Sequence, residues 1–423
     1  VGTLSYTLYR TMTHALWPVA VCAAALGRAF GGAAWGERLG RTPPVSEGAV
    51  WLHAASVGEV AAVAPLARAL AARDTDVLVT TVTATGRSVA ARSLEGLTVS
   101  LAPLDFVPAV RRTIGAVGPR ALLLTETELW PNTVYECSVA GVPVGMVNGR
   151  LSEKSLRRYS MAGSPISGIA RHVTFAACRT DADASRFREL GVEEAHVAVV
   201  GDMKFDKLAA PLSDGGRTEL RASLGIEVGA PVVVFGSVRP REEGAVAAAA
   251  AAVLGAFEDS RVIVAPRHLE RVPHVVRALA SRGVGSALRS SAQAGPSRAV
   301  VLDTTGELAG IYAVGSVAFV GGTLAPYGGH DPLEPAAQGV PVLIGTHTET
   351  CRDSASRLLS AGAAVEVSGG DELTAELLRL LRDEGALAAS REHALRVVEA
   401  GRGATERTLE FLGSIGVLDA AAE

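Results

Sequence analysis

What most restricts the fold of this chain is a rhythm that runs twice. From Val50 onward, short apolar runs alternate with longer amphipathic stretches. Apolar runs at Val50–His53, Val77–Val82, Val99–Ala102, Ala121–Thr125, Val144–Val147, Val173–Ala176 and Val197–Val200 predict strands. Stretches such as Glu59–Ala72, Phe106–Ala116 and Ala182–Leu190 predict the helices between them. That alternation is the mark of βαβ units and a parallel sheet. It breaks at Leu208–Arg217, a turn-rich segment, and resumes with runs at Val232–Phe235, Val262–Ala265, Val300–Leu302, Val317–Val320 and Val342–Ile344. Helical sequence closes the chain from Glu372 to about Phe411. The expected fold class is α/β, with two doubly wound Rossmann-like lobes and a ligand cleft between them at the carboxyl ends of the strands. The expected divisions are an N-terminal segment 1–40, a first lobe 41–207, a linker 208–217 and a second lobe 218–423 that includes the C-terminal helices.

Composition agrees with covered parallel sheets, since 48% of the 423 residues are hydrophobic and only 4% aromatic. A net charge of -4 offers no basic stripe for nucleic acid, so an anionic ligand must be met by local cations. The four cysteines (Cys22, Cys137, Cys178, Cys351) are far apart, which argues against zinc and against a disulfide scaffold. Asp181-Ala-Asp183 spells an Asp-x-Asp motif, but it opens a helix and reads as a cap rather than a metal site. No metal is expected.

The first 30 residues are mostly apolar, interrupted by Arg10, His14 and Arg28. The clean run Ala15–Gly27 is shorter than the roughly 20 residues that cross a bilayer comfortably. Tyr6, Tyr9, Trp17 and Trp35 sit near the ends like interfacial anchors. A membrane-associated helix is expected, with a plain sheet-covering helix as the alternative.

Two stretches carry candidate chemistry. In the second lobe a strand runs into Gly321-Gly322-Thr323, followed by Tyr327-Gly-Gly-His-Asp-Pro-Leu-Glu. Gly328 and Gly329 permit close backbone approach, and a helix start beyond them presents N–H groups and a positive dipole end to an anion. Asp331, Pro332 and Glu334 also satisfy helix-capping rules with no ligand at all. Loops holding Ser237, Pro266 with Arg267, and Gly306 with Glu307 follow other strands of this lobe and converge if the sheet is parallel. In the first lobe Ser56 and Glu59 form a Ser-x-x-Glu capping box, while Glu59 beside Gly58 is also a candidate general base facing the cleft. Glu126 and Glu128, spaced by two, share a face if their strand persists.

Together these stretches resemble the 3-deoxy-D-manno-oct-2-ulosonic acid (Kdo) transferases of lipopolysaccharide synthesis. The motifs that carry the resemblance are Trp35-Gly-Glu-Arg-Leu-Gly, Trp51-Leu-His-Ala-Ala-Ser-Val-Gly-Glu, Thr83-Ala-Thr-Gly and Glu126-Thr-Glu-Leu-Trp-Pro-Asn. Further on come Asn148-Gly-Arg-Leu-Ser, Gly201-Asp-Met-Lys-Phe-Asp, Pro266-Arg-His, Asp303-Thr-Thr-Gly-Glu-Leu and Gly328-Gly-His-Asp-Pro-Leu-Glu-Pro-Ala. The resemblance implies a GT-B fold and an inverting transfer from CMP-Kdo to an anionic glycolipid, a lipid A precursor (lipid IVA). It implies no cofactor, and a site at the cytoplasmic face of the inner membrane with the N-terminal helix as anchor. It makes Glu59 the general base and has Glu128, the other catalytic residue, support the acceptor side of the cleft. It gives Pro266 and Arg267 to the cytidine, Gly306 with Gly328–Gly329 to the phosphate, and Glu334 to the ribose. Ser237, Glu307, Gly322, His330, Asp331 and Lys204 complete the expected donor set. Ser56, Gly58, Arg87, Glu126, Asn148 and Arg150 form the acceptor set, with Lys154, Arg157 and Arg158 adding positive charge. The family usually has Asn at position 331, where a carboxylate repels a phosphate unless used wholly as a cap. It usually has Gly-Ser-Thr-His/Arg where this chain has Gly236-Ser-Val-Arg-Pro-Arg-Glu-Glu. The rival readings are a UDP-N-acetylglucosamine 2-epimerase of the same fold and a non-catalytic membrane-bound sugar-binding module.

Overall fold

The computed structural model describes residues 2–29, 34–161, 166–291 and 297–418. They form two compact units: one holds the chain up to Lys207 together with the residues from Gly401 onward, and the other is Leu208–Ala400.

The first unit is built on β1 (Val50–His53), β2 (Val77–Thr81), β3 (Thr98–Leu101), β4 (Ala121–Thr125), β5 (Val144–Gly149), β6 (Phe175–Cys178) and β7 (Val197–Val199). Their order is β3-β2-β1-β4-β5-β6-β7, and every pairing is parallel. All residues of β1, β2 and β4 are buried, as strands covered by helices on both faces must be. The polar Thr80 inside this sheet is satisfied by the Trp51 indole N–H at 2.8 Å.

The second unit repeats the plan with β8 (Val232–Val238), β9 (Arg261–Pro266), β10 (Ser286–Leu288), β11 (Ala299–Val301), β12 (Val317–Val320), β13 (Val342–Gly345) and β14 (Ala364–Val367). Here the order is β10-β11-β9-β8-β12-β13-β14, again all parallel. Strand order reverses direction beside β1 and β4 in one sheet and beside β8 and β12 in the other. Loops leaving the carboxyl ends of those strands are where α/β sheets bind ligands.

The structure amends the expected organisation in four places. β10 and β14 escape the apolar-run pattern: β10 is only half-buried along its length, and β14 carries the exposed Glu366. Both are edge strands, which need no two-sided apolar face. The expected linker 208–217 is not all turn, because Ser213 caps a helix Asp214–Ser223 by accepting from the Gly216 N–H. The C-terminal helix Ala404–Ser414 belongs to the first unit, not the second: Ala404, Leu409 and Leu412 join a core with Val63 and Leu66. Asp206 pins its start, accepting from the N–H groups of Gly403 and Thr405 at 2.7 and 2.6 Å.

The fourth amendment concerns the helix Gly2–Ala29. Its aromatic residues turn inward to the first unit instead of outward as interfacial anchors. Tyr6 is buried with its hydroxyl on Asn132, and Tyr9 donates to Asp105 at 2.8 Å. Arg10 pairs with the buried Glu136, and Trp17 packs on Phe106 with ring centres 5.9 Å apart. The outward face carries Leu4, Leu8, Met12, Leu16, Val19 and Leu26, all exposed. Among the described residues, no helix is long and apolar enough to cross a membrane.

Candidate functional site

In the first unit β1 ends at His53, and the chain turns through Ala54–Ser56 into the helix Val57–Ala71. Ser56 is the N-cap, in an extended conformation, and accepts from the Glu59 N–H at 3.3 Å. Glu59 reaches back, accepting from the Ala55 N–H at 2.8 Å and the Ser56 hydroxyl at 2.9 Å. The capping box is therefore formed, yet it does not fully stabilise the charge. Burial pushes the Glu59 carboxyl up to about 7 against those two hydrogen bonds, and the charges of Glu128 and Glu126 add to the rise. Glu128 is itself raised by burial and by Glu126.

These neighbours arrive by a route different from strand alternation. β4 stops at Thr125, and Glu126 takes a left-handed conformation with φ 57°. The loop is anchored by the Glu126 N–H on the Val147 carbonyl at 3.2 Å and by the Tyr159 hydroxyl on the Thr127 carbonyl at 3.0 Å. A turn, not a continued strand, gathers the acids near Glu59. Three carboxylates at the ends of β1 and β4, one poised near neutrality, make a candidate proton-accepting centre.

The remaining residues of the expected acceptor set take varied positions. Gly58 lies in the first helical turn with open space at its Cβ position, where the nearest atom is the Ser56 hydroxyl at 3.8 Å. Arg87 is paired with Glu37 at 2.7 Å. Asn148 is fully buried with φ 51°, and its Oδ1 accepts from the Met203 N–H at 3.0 Å, so it braces the turn that carries Lys204. Arg150 is exposed, as are Lys154, Arg157 and Arg158. Lys204 belongs to the first unit, and the other residues of the expected donor set belong to the second. Asp183 is buried and engaged as a capping residue, accepting from Leu151 and Thr180.

In the second unit Ser237 and Pro266 lie within the carboxyl ends of β8 and β9 rather than in loops, and the segments after β9, β11 and β12 carry Arg267, Gly306 with Glu307, and Gly322. Gly328 and Gly329 both have φ 84°. An added Cβ would meet Thr350 at 2.6 Å from Gly328 and the Cys351 sulfur at 2.8 Å from Gly329, so only glycine fits either place. The Thr350 hydroxyl clamps their carbonyls at 2.8 and 2.6 Å. The Gly329 N–H is used on the Gly322 carbonyl at 2.8 Å and the His330 N–H on that of Gly321 at 3.3 Å. These two N–H groups close the loop instead of facing an anion.

The helix that follows is short, Leu333–Ala337, which leaves little dipole. Asp331 spends its carboxylate as a cap, accepting from the Leu333 N–H at 3.1 Å, and Glu334 falls at the second helical position rather than the third. Gly306, with φ 88°, has nothing within 4 Å of its Cβ position. Glu307 is tied to Thr304 and to Arg289 at 3.2 Å, and the Thr304 hydroxyl holds its carboxyl below the usual range.

Positive charge comes instead from Arg239 and Arg267, with the His268 ring beside them. Burial, with Arg267, Arg239 and His268 nearby, pushes the His330 imidazole down to about 4. Arg239, His268 and Tyr327 were outside the expected set, as was Glu242, a fully buried carboxylate three residues after Arg239. The sequence signals for them were the Arg239-Pro-Arg-Glu-Glu run for Arg239 and Glu242, and the Pro266-Arg-His and Tyr327-Gly-Gly motifs for His268 and Tyr327.

Residues 33–207 match the family model described as 3-deoxy-D-manno-octulosonic-acid transferase (kdotransferase). The 3-deoxy-D-manno-octulosonic acid transferase of Bordetella pertussis is 33% identical over 401 residues, 90% of this chain and 91% of that one. Among solved structures, a glycosyltransferase from Rickettsia africae aligns over 88% of this chain and 99% of its own, with a TM-score of 0.58 at 9% identity. UDP-GlcNAc 2-epimerase from Neisseria meningitidis aligns over 86% and 99%, with a TM-score of 0.60 at 11% identity. At such identities the two structures speak to the fold alone, a pair of parallel-sheet lobes of the GT-B kind. With its matched residues and a relative this similar along nearly its whole length, the chain belongs to the Kdo transferase family, glycosyltransferases of lipopolysaccharide biosynthesis.

Proposed function

We propose that the protein transfers Kdo from CMP-Kdo to a lipid A precursor with inversion, and that Glu59 is the general base. The observation that carries this reading is the half-buried Glu59 carboxyl, pushed up to about 7 beside two further acids. A base whose pKa lies near the operating pH is partly ionised in the resting enzyme and still strong enough to take a proton. The acceptor hydroxyl loses its proton to Glu59 as its oxygen bonds to the anomeric carbon of Kdo. The bond from that carbon to the phosphate oxygen breaks, and its electron pair leaves with CMP. The guanidinium groups of Arg239 and Arg267 supply the positive charge for the donor phosphate.

An exposed apolar stripe on the helix Gly2–Ala29, with Leu4 75% and Leu8 70% exposed, supports a membrane-facing role. Because its other face is bound to the first unit, the helix lies along the surface of the inner membrane, with the acceptor glycolipid in the same layer.

Glu59→Gln tests the reading. Incubation with CMP-Kdo and a tetra-acyl lipid A precursor, followed by mass analysis, should show transfer by the wild type and strongly reduced transfer by the variant, while CMP still raises the melting temperature of both. Unchanged transfer removes Glu59 as base. Protection by UDP and not by CMP favours a uridine-dependent enzyme instead.

A further inference from the structure

The end of β8 and the loop after it are held in an unusual conformation, by an unusual device. Ser237 and Arg241 both have left-handed backbones, φ 54° and 75°, although neither is glycine. Such strain persists only where the surroundings over-determine it, and it gathers at functional positions. Here the determinant is Glu242, which is fully buried. Its Oε2 accepts from the N–H groups of Arg239 and Gly322, each at 2.8 Å. Its Oε1 accepts from those of Leu324 and Ala325 at 3.0 and 3.3 Å. One carboxylate thus joins the loops leaving β8 and β12, the two strands at which the order of this sheet reverses.

What that clamp presents is Arg239. Its guanidinium lies over the Tyr327 ring, 4.8 Å from the centroid, and its Nη1 donates to His268 Nε2 at 2.7 Å. Its Nε has no partner, and among the described residues no carboxylate pairs with it. A guanidinium oriented by an aromatic face and a histidine, and left without a counter-ion, is set up to receive an anion.

We propose that Arg239 is an anion-binding residue of the donor site and that Glu242 is the residue that positions it. This rests on the donor reading above, in which the ligand offers a phosphate and the carboxylate of a sugar acid. Both anions suit a guanidinium edge, and binding measurements separate them.

The experiment measures affinities of cytidine, CMP and CMP-Kdo for the wild type, Arg239→Ala, Glu242→Gln and the double variant, by calorimetry. Arg239→Ala should weaken CMP-Kdo about ten-fold or more and leave cytidine within about two-fold. If CMP weakens equally, the anion is the phosphate; if CMP is spared, it is the sugar carboxylate. Equal loss for cytidine, or no loss for CMP-Kdo, overturns Arg239. Glu242→Gln should weaken the same ligands, with little further loss when Arg239 is already alanine. Fully additive losses overturn the positioning role.

Should Glu242→Gln fail to fold, hydrogen exchange of the wild type decides that part. The Arg239, Gly322, Leu324 and Ala325 amides should be protected together, and independent fast exchange overturns the clamp. Should the wild type bind UDP and not CMP, the donor reading falls, while uridine against UDP still judges Arg239.

Discussion

The two units share a scaffold and differ in charge. Each is a seven-stranded parallel sheet with candidate-site loops at the point where strand order reverses. In the first, those loops bring together Glu59, Glu126 and Glu128, and burial, with like charge adding to it, lifts Glu59 to about 7. In the second they bring together Arg239, Arg267 and His268, and the same two causes push His330 down to about 4. Burial disfavours whichever form is charged, and neighbours of like sign add to it. One architecture therefore raises a carboxyl toward neutrality in one unit and keeps an imidazole neutral beside two guanidinium groups in the other. The lesson is that the sheet supplies places, while the loop residues decide the chemistry.

The largest expected effect breaks the acidic half. Glu59→Gln should lower kcat by about a hundred-fold or more, the range for loss of a general base, in a steady-state transfer assay. Its stability should also respond to pH. The folded carboxyl titrates above its unfolded value, so its contribution to stability is fully present below the unfolded pKa and lost as pH rises through about 7. The melting temperature of Glu59→Gln relative to wild type should therefore be higher at pH 8 than at pH 4.

Next in size is the cradle of the second unit. Gly329→Ala places a Cβ 2.8 Å from the Cys351 sulfur at φ 84°. Urea unfolding should show a loss of about 2 kcal/mol, combining left-handed strain with the clash.

A smaller change tests the coupling among the acids. Glu128→Gln removes a charge that raises Glu59, so the acidic limb of the pH–rate profile should move down by roughly half a unit. An unmoved limb would mean that burial alone sets the base. The cationic half has a matching test: an anion beside His330 should raise its pKa, so CMP binding near pH 5 should take up a fraction of a proton and binding at pH 8 none. Calorimetry in buffers of different ionisation enthalpy reads this directly.

Much of the scaffold was legible because it rests on local pattern. β1, β4 and β12 fall on the apolar runs that predict them, with the same first and last residues. The Ser56–Glu59 capping box and the glycines at 328 and 329 are also local, since a cap or a left-handed turn is written within a few residues. β10 and β14 were not legible, because an edge strand can be short and half-exposed and shows no clean periodicity.

Residue chemistry, read by itself, set an α/β chain of two parallel-sheet lobes, with acids after β1 and β4 and glycine turns after β12. Tertiary structure alone decided what those groups face. It turned the aromatic residues of the N-terminal helix inward, brought the C-terminal helix back to the first unit, and buried Glu242 between two loops 80 residues apart. It also showed the Gly329 and His330 N–H groups consumed in closing their own loop, which shifts the burden of meeting an anion to Arg239 and its neighbours. The physical reason is range: propensity and capping act over one or two turns, whereas burial, charge coupling and hydrogen-bond satisfaction depend on residues that meet only once the sheets have formed.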